Sequence, residues 1–151
     1  MPVVTISLVG PANPLLARVV TAAQARGVII VAAVGNDGPA APPSYPASYP
    51  GVIAVTAVDR RGRVLIEAGR ATHLDYAAPG ADMLASNARG GASPVRGTSF
   101  AAPLVAGAIA LAYPGADPAR RGAALAAVDA GPIGTARVMA AASSAAPAPP
   151  L

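Results

Sequence analysis

The stretch "VVTISLVGPANPLLARVVTAAQARGVIIVAAV", residues 3–34, predicts the fold. It begins and ends with β-branched apolar runs, Val3–Val9 and Val28–Val34, each typical of a strand covered on both faces. Between them a helix is predicted, with Asn13 as its N-cap and Pro14 at its first position. This order indicates a β-α-β unit with parallel strands, and therefore an α/β protein.

The rest of the chain continues this pattern. Three more strands are predicted at Val52–Val58, Leu74–Ala77 and Met83–Ala85, and two more helices at about Ser99–Tyr113 and Asp117–Val128. The first of these helices is apolar nearly all round, which predicts that it runs through the middle of the protein. Residues 143–151 are low-complexity sequence, for which we expect a disordered tail.

Composition excludes several classes of function. The chain has 151 residues, enough for one domain with a real core, and no cysteine for disulfides or zinc-thiolate sites. Its net charge is +4, but no aromatic residues interleave with its one basic cluster, Arg60, Arg61 and Arg63, so we expect no nucleic-acid partner. The longest apolar run, Phe100–Tyr113, is interrupted by a proline and a glycine and is too short to span a membrane.

A second stretch, "RGTSFAAPLVAG", residues 96–107, places a hydroxyl pair at the entrance of an apolar helix. Gly97 permits a backbone shape that a side chain would block. Ser99 is predicted to lie at the helix N-terminus, where free N–H groups favour negative charge. Pro103 is expected in the first helical turn, where its missing donor costs little. The simpler alternative is that Thr98 or Ser99 only caps a buried helix.

Five segments, in order, resemble the subtilisin-like serine proteases. They are "TISLVGP", "VIIVAAVGNDGP", "SYPASYPGVIAVTAVD", "LDYAAPGADMLAS" and "GTSFAAPLVAG", and they cover nearly everything from residue 3 to about 128. The resemblance implies a three-layer α/β fold, with a largely parallel sheet and helices on both faces. It also implies that residues 1–142 are part of a peptidase domain whose N-terminal part is missing.

The same resemblance implies the site residues. Ser99 is the expected nucleophile, and Asn36 the expected oxyanion-hole donor, together with the Ser99 backbone N–H. The alternative for Asn36 is a left-handed turn residue between two glycines. The expected substrate-binding residues are Ser7, Leu8, Val9, Gly10, Ala33, Val34, Gly35 and Ser44. None is charged, which favours an uncharged side chain on the acyl side of the scissile bond. Val9 stands where the family usually has glycine, so it would narrow the cleft or tilt the bound peptide.

The chain departs from the family in its catalytic base. A subtilisin-type triad runs Asp, His, Ser, and the first two belong upstream of the Asn36 segment, where this sequence has neither motif. The only histidine, His73, precedes the Ala-Pro-Gly turn, where the resemblance assigns no catalytic role, although Asp75 lies two positions further on.

We therefore expect the C-terminal half of a catalytic domain, which acts on peptides or proteins and is nearly inactive alone. An N-terminal segment would supply the missing Asp and His. Two alternatives stay open: a non-catalytic peptide-binding module, and a truncated remnant that pairs with another chain.

No cofactor or metal is predicted to be required. Calcium is common in the family, but Asp75 is the one carboxylate that could contribute to such a site here, which is a weak cation site. The first ten residues, "MPVVTISLVG", lack a charged leader and a long apolar core, so they do not predict a secretory signal. Because the family is mostly secreted or periplasmic, the compartment stays open.

Overall fold

The computed structural model describes residues 2–115 and 117–129, and the predicted tail lies outside them. Four parallel strands form one sheet in the order β1-β2-β3-β4. They are β1 (Val3–Ile6), β2 (Ile29–Ala33), β3 (Ile53–Val58) and β4 (Tyr76–Pro79). A separate antiparallel pair consists of β5 (Met83–Ser86) and β6 (Ala92–Val95). The helices are α1 (Pro14–Ala25), α2 (Thr98–Ala112) and α3 (Arg121–Asp129).

Strand β2 shows why the sheet has helices on both faces. All five of its residues are buried, and alternate side chains point to opposite faces. Ile29, Val31 and Ala33 belong to the cluster that contains the buried side chains of α2. Ile30 and Ala32 belong to a second cluster, with Val20 of α1. The predicted α/β class, with a largely parallel sheet and helices on both faces, is confirmed.

Helix α1 begins as its sequence predicts. The Asn13 Oδ1 accepts hydrogen bonds from the backbone N–H groups of Leu15 and Leu16, at 2.9 and 3.1 Å. Pro14 has no N–H of its own to satisfy at this position. The chain then turns at Gly27, whose φ of 80° is in the left-handed region that favours glycine.

Four details of the predicted elements were wrong. Strand β1 ends at Ile6 rather than Val9, and β4 begins and ends two residues later than expected. Strand β6 was not predicted. Asp117 caps a short 3-10 turn, after which α3 begins at Arg121.

Helix α2 is buried on one side and not all round. Its inner side packs on all four strands of the sheet. On its outer side, Leu104 and Leu111 are 42% and 89% exposed. The predicted burial in the middle of the protein is therefore wrong for this face. Among the helices in the described part of the chain, none has the length and hydropathy of a membrane-spanning segment.

Candidate active site

The turn after β2 meets the start of α2. The Thr98 backbone N–H donates to the Asn36 Oδ1 at 3.0 Å, and the Thr98 hydroxyl donates to the Gly35 carbonyl oxygen at 3.1 Å. Thr98 is fully buried. The structure thus holds Asn36 against the residue that precedes Ser99, although 62 positions separate Asn36 from Thr98.

Asn36 serves as the cap that α2 lacks in its own sequence. The N-cap position of α2 is Gly97, which has no side chain to satisfy the free N–H groups of the first turn. The Asn36 carboxamide oxygen accepts one of them instead. Neither the Asn36 Nδ2 nor the Ser99 N–H has a hydrogen-bond acceptor within residues 2–115 and 117–129. Two donors without acceptors therefore lie beside the Ser99 position.

The missing N–H of Pro103 explains a hydrogen bond between Ser7 and the start of α2. Pro103 is the sixth residue of α2, so it lies in the second turn and not in the first, as we expected. It has no N–H to donate to the carbonyl of Ser99, four residues earlier. The Ser7 hydroxyl donates to that carbonyl oxygen instead, at 3.0 Å. This hydrogen bond ties the segment after β1 to the first turn of α2.

The segment Ser7–Gly10 lies beside the first turn of α2, to which the Ser7 hydroxyl is bonded, and it is expected to form one wall of a substrate groove. Beyond Ile6 the chain leaves the sheet, and the backbone of residues 7–9 makes no backbone hydrogen bond with the described residues. Gly10 then pairs with Tyr45 through two backbone hydrogen bonds, at 2.9 and 3.0 Å. Leu8 is 77% exposed. This wall therefore offers free backbone groups to a ligand.

Residues 34–36 face this segment, because the Val9 side chain contacts Gly35, and they are expected to form the opposite wall. The side chains of Ala33 and Val34 are buried in the two core clusters, so these expected substrate-binding residues offer no side chain to a ligand. The Val34 N–H donates to the Val55 carbonyl oxygen at 3.1 Å. The Ser44 hydroxyl donates to the Val34 and Arg70 carbonyl oxygens, at 2.8 and 3.0 Å.

Glycines allow the loops around the site to approach closely. A side chain at Gly69 would overlap the Val34 carbonyl oxygen, and one at Gly80 would overlap Ala57. The Gly97 N–H donates to the Gly80 carbonyl oxygen at 2.8 Å. Gly69 and Thr98 were not predicted as supporting residues. A threonine beside the candidate serine was a signal, but its partners are distant in sequence.

One ion pair flanks the start of α2. The Arg96 guanidinium donates to both carboxylate oxygens of Glu67, with Nη2 at 3.0 Å from Oε2. The hydrogen bond from Arg96 lowers the pKa of Glu67 below its ordinary value of 4.5. The Glu67 carbonyl oxygen also accepts from the Gly38 N–H at 3.0 Å. The pair thus connects Arg96, just before Ser99, to Glu67, whose backbone is bonded to Gly38, just after Asn36.

His73 lies at the other end of the sheet. Its Nε2 is 2.8 Å from the Val52 carbonyl oxygen, just before β3 begins. Gly80 and Gly97, which lead to Ser99, are hydrogen-bonded to each other and to Val58 at the end of β3. Six strand residues at about 3.3 Å each separate the two ends by about 20 Å. The structure therefore does not bring His73 to Ser99.

Asp75 is engaged at the same distant end. Its Oδ2 accepts from the Ala54 N–H at 2.8 Å and lies 3.5 Å from the His73 Nε2. Within the described residues there is no group of three or more His, Cys, Asp or Glu side chains that could hold a metal ion. Asp75 therefore gives no support to a cation site.

Comparison with known families places the chain. The profile of the Subtilase family (Peptidase_S8) matches residues 6–142. The chain is 38% identical over 115 residues to subtilisin E of Bacillus subtilis (strain 168), which covers 74% of this chain and 30% of that protein. It is 38% identical to the subtilisin of Bacillus pumilus over 74% of this chain and 42% of that protein. The chain thus spans less than half the length of these relatives.

Solved structures agree with the sequence relatives. The self-cleaved protease domain of PatA is 33% identical, with a TM-score of 0.68 over 80% of this chain and 48% of that one. The prenylagaramide maturation protease PagA is 32% identical, with a TM-score of 0.66 over 73% of this chain and 42% of that one.

Proposed function

The chain belongs to the subtilase family of serine proteases, and we propose that it carries the nucleophile and the oxyanion hole of a serine endopeptidase. The nucleophile is Ser99, and the oxyanion donors are the Asn36 Nδ2 and the Ser99 backbone N–H. The observation that carries this proposal is the position of Asn36, whose Oδ1 is anchored at 3.0 Å to the Thr98 N–H while its Nδ2 has no acceptor in the described part of the chain.

In this mechanism the Ser99 hydroxyl oxygen attacks the carbonyl carbon of the scissile peptide bond and passes its proton to a base. The negative charge that develops on the carbonyl oxygen is stabilised by the two donors. These donors need little rearrangement, because the Asn36 carboxamide is already held by the hydrogen bond from the Thr98 N–H to its Oδ1. The base then protonates the leaving amine, and water hydrolyses the acyl-enzyme on Ser99.

The free backbone of Ser7–Val9 supports a peptide substrate. An extended peptide can pair with such groups by β-augmentation, in which main-chain hydrogen bonds supply affinity without regard to sequence. The hydrogen bond from Ser7 to the Ser99 carbonyl keeps this wall in register with the nucleophile. The substrate is therefore proposed to be a peptide or a protein.

The base is proposed to come from a segment outside these 151 residues. His73 is the single histidine of the sequence, and it lies about 20 Å from the site by strand length. A base must reach the serine within hydrogen-bonding distance. The segment that supplies Asp and His is proposed to dock on the open edge of β1 and on the outer side of α2. Val4 on that edge and Leu111 on that side are 40% and 89% exposed.

A fluorophosphonate probe tests the proposal, because it labels serines that have been activated for attack. We use "the naturally encoded protein" for the complete gene product, which is proposed to include the segment that supplies Asp and His. We expect it to be labelled at Ser99, and its Ser99→Ala variant to stay unlabelled. The 151-residue chain alone should label far more slowly, since a serine without a base is a weak nucleophile. Labelling of no serine in the naturally encoded protein would favour the alternative, a peptide-binding module that keeps the groove without catalysis.

A further inference from the structure

The space between the two walls of the groove determines which side chain can sit beside the nucleophile. One wall is Ser7–Gly10 and the other is residues 34–36. If the proposed function holds, a peptide that pairs with the first wall and has its carbonyl at Asn36 must place one side chain between the walls. That side chain belongs to the residue whose carbonyl is attacked, which we name the acyl residue.

Val9 already fills the gap between these walls. Its Cγ1, Cγ2 and Cβ atoms lie 3.1, 3.4 and 3.6 Å from the position that a Cβ on Gly35 would take. These distances are at or below ordinary van der Waals contact. The valine side chain therefore covers the face of Gly35 directly, and a long or branched side chain of a ligand has no room between the two residues.

Neither wall can move away cheaply. Gly10 is held to Tyr45 by two backbone hydrogen bonds, and Gly35 accepts from both Thr98 and Gly69. Valine is branched at Cβ and has few accessible rotamers, so its side chain does not swing aside easily. The narrow gap is thus a fixed feature of the groove.

Val9 does not owe its position to core packing. It is 41% exposed and belongs to neither of the two core clusters. A smaller residue at this position would leave the fold intact and open the gap. What the valine side chain does change is the space available beside Ser99.

We propose that Val9 is a specificity-determining residue that restricts the acyl residue of the substrate to glycine or alanine. A side chain with more carbon atoms than alanine would have to displace either the valine or the Gly35 backbone. In a pocket of this kind, one methylene changes discrimination by about 10- to 200-fold.

The test uses the naturally encoded protein and peptide anilides that differ only in the acyl residue: Gly, Ala, Leu or Phe. We expect kcat/KM to be far lower for Leu and Phe than for Ala. Val9→Ala and Val9→Gly should raise the Leu-to-Ala ratio by about tenfold or more, whereas Val9→Leu should lower it. Val64→Ala is the matched control, since Val64 is a valine of 42% exposure that belongs to neither wall, and it should leave the ratio unchanged.

A binding measurement separates this inference from the proposed function. In the Ser99→Ala background, calorimetry with peptides that end in Ala or Leu should show weaker binding of the Leu peptide, and Val9→Gly should remove the difference. If this selection is found while no peptide is hydrolysed by the protein with Ser99 intact, catalysis is disproved and the role of Val9 stands. Equal binding of both peptides, binding of neither, or a Leu-to-Ala ratio unaffected by Val9→Gly would overturn the inference.

Discussion

Both ends of the parallel sheet carry polar groups, but the two ends differ in whether these groups are hydrogen-bonded within the described part of the chain. At the amino end of β3, His73 is paired with the Val52 carbonyl, and Asp75 with the Ala54 N–H. At the carboxyl ends, the Asn36 Nδ2 and the Ser99 N–H have no acceptor in the described part of the chain. Ligands of open α/β sheets bind beyond the carboxyl ends of the strands. A histidine in the sequence is thus a poorer guide to chemistry than donors left unpaired.

The sharpest way to break this comparison is to change Asn36. In an enzyme complete with its base, Asn36→Ala should lower kcat by about 10²- to 10³-fold, the effect known for the oxyanion-hole asparagine of subtilisin. Steady-state hydrolysis of a fluorogenic peptide measures this loss.

Asn36→Asp is the matched variant. It keeps an oxygen that can accept from the Thr98 N–H but removes the donor, so we expect an equally large loss of kcat with less loss of stability. Full activity of Asn36→Asp would show that Asn36 only anchors the helix and donates to no oxyanion.

A double-mutant cycle between Ser7 and Pro103 sharpens the account of how the groove is tied to α2. Ser7→Ala removes the hydrogen bond to the Ser99 carbonyl and should cost about 1 kcal/mol in both unfolding free energy and kcat/KM, or about fivefold in rate. Pro103 is exposed to solvent, and in the Pro103→Ala variant the new backbone N–H can donate to the same carbonyl. Ser7→Ala should then cost less.

The four proteins of the cycle are compared by urea denaturation and by kcat/KM. Ser7→Thr serves as the conservative control, because it keeps a hydroxyl. An equal cost of Ser7→Ala in both backgrounds would mean that Pro103 and Ser7 do not share the Ser99 carbonyl.

The smallest expected effect concerns the ion pair between Glu67 and Arg96. Because Arg96 lowers the pKa of Glu67 in the folded state, the pair stabilises the fold above the unfolded-state pKa of about 4.5. That contribution is lost as the pH falls through the folded-state pKa. Glu67→Gln should therefore lower the unfolding free energy slightly at pH 7, and by less at pH 3.

Urea titrations of both proteins at the two pH values measure this difference. High salt should reduce it, since the pair is exposed to solvent. A loss of the same size at pH 3 would show that Glu67 contributes through packing and not through its charge.

Much of the fold could be predicted because the buried strands are continuous apolar runs. The ends of elements could not be. The apolar run predicts a strand as far as Val9, yet the chain leaves the sheet after Ile6 and continues as the expected groove wall. Strand β6, "ASPV", was missed because it is short, partly exposed and contains a proline. Burial of α2 was overestimated because composition does not show which side of an apolar helix has a partner.

The candidate site could be predicted only as a pair of positions, Asn36 and Ser99. The spacing of Asn36 and Ser99 says nothing of how Asn36 is held, since its contact is with the backbone of Thr98. The replacement of the Pro103 donor by Ser7 also joins residues far apart in sequence. Such contacts depend on packing of the sheet against α2, which no local pattern encodes.

The central claim is that this chain holds a nucleophile and an oxyanion hole but no base. The measurement that tests it is hydrolysis of a fluorogenic peptide by the 151-residue chain alone, by its Ser99→Ala and His73→Ala variants, and by the chain with a separately made segment that carries the missing Asp and His. We predict almost no hydrolysis by the chain alone, since loss of the histidine costs a triad enzyme of this type about as much as loss of the whole triad. The added segment should restore activity that depends on Ser99 and not on His73. Robust hydrolysis by the chain alone, abolished by both substitutions, would contradict the account and make His73 the base.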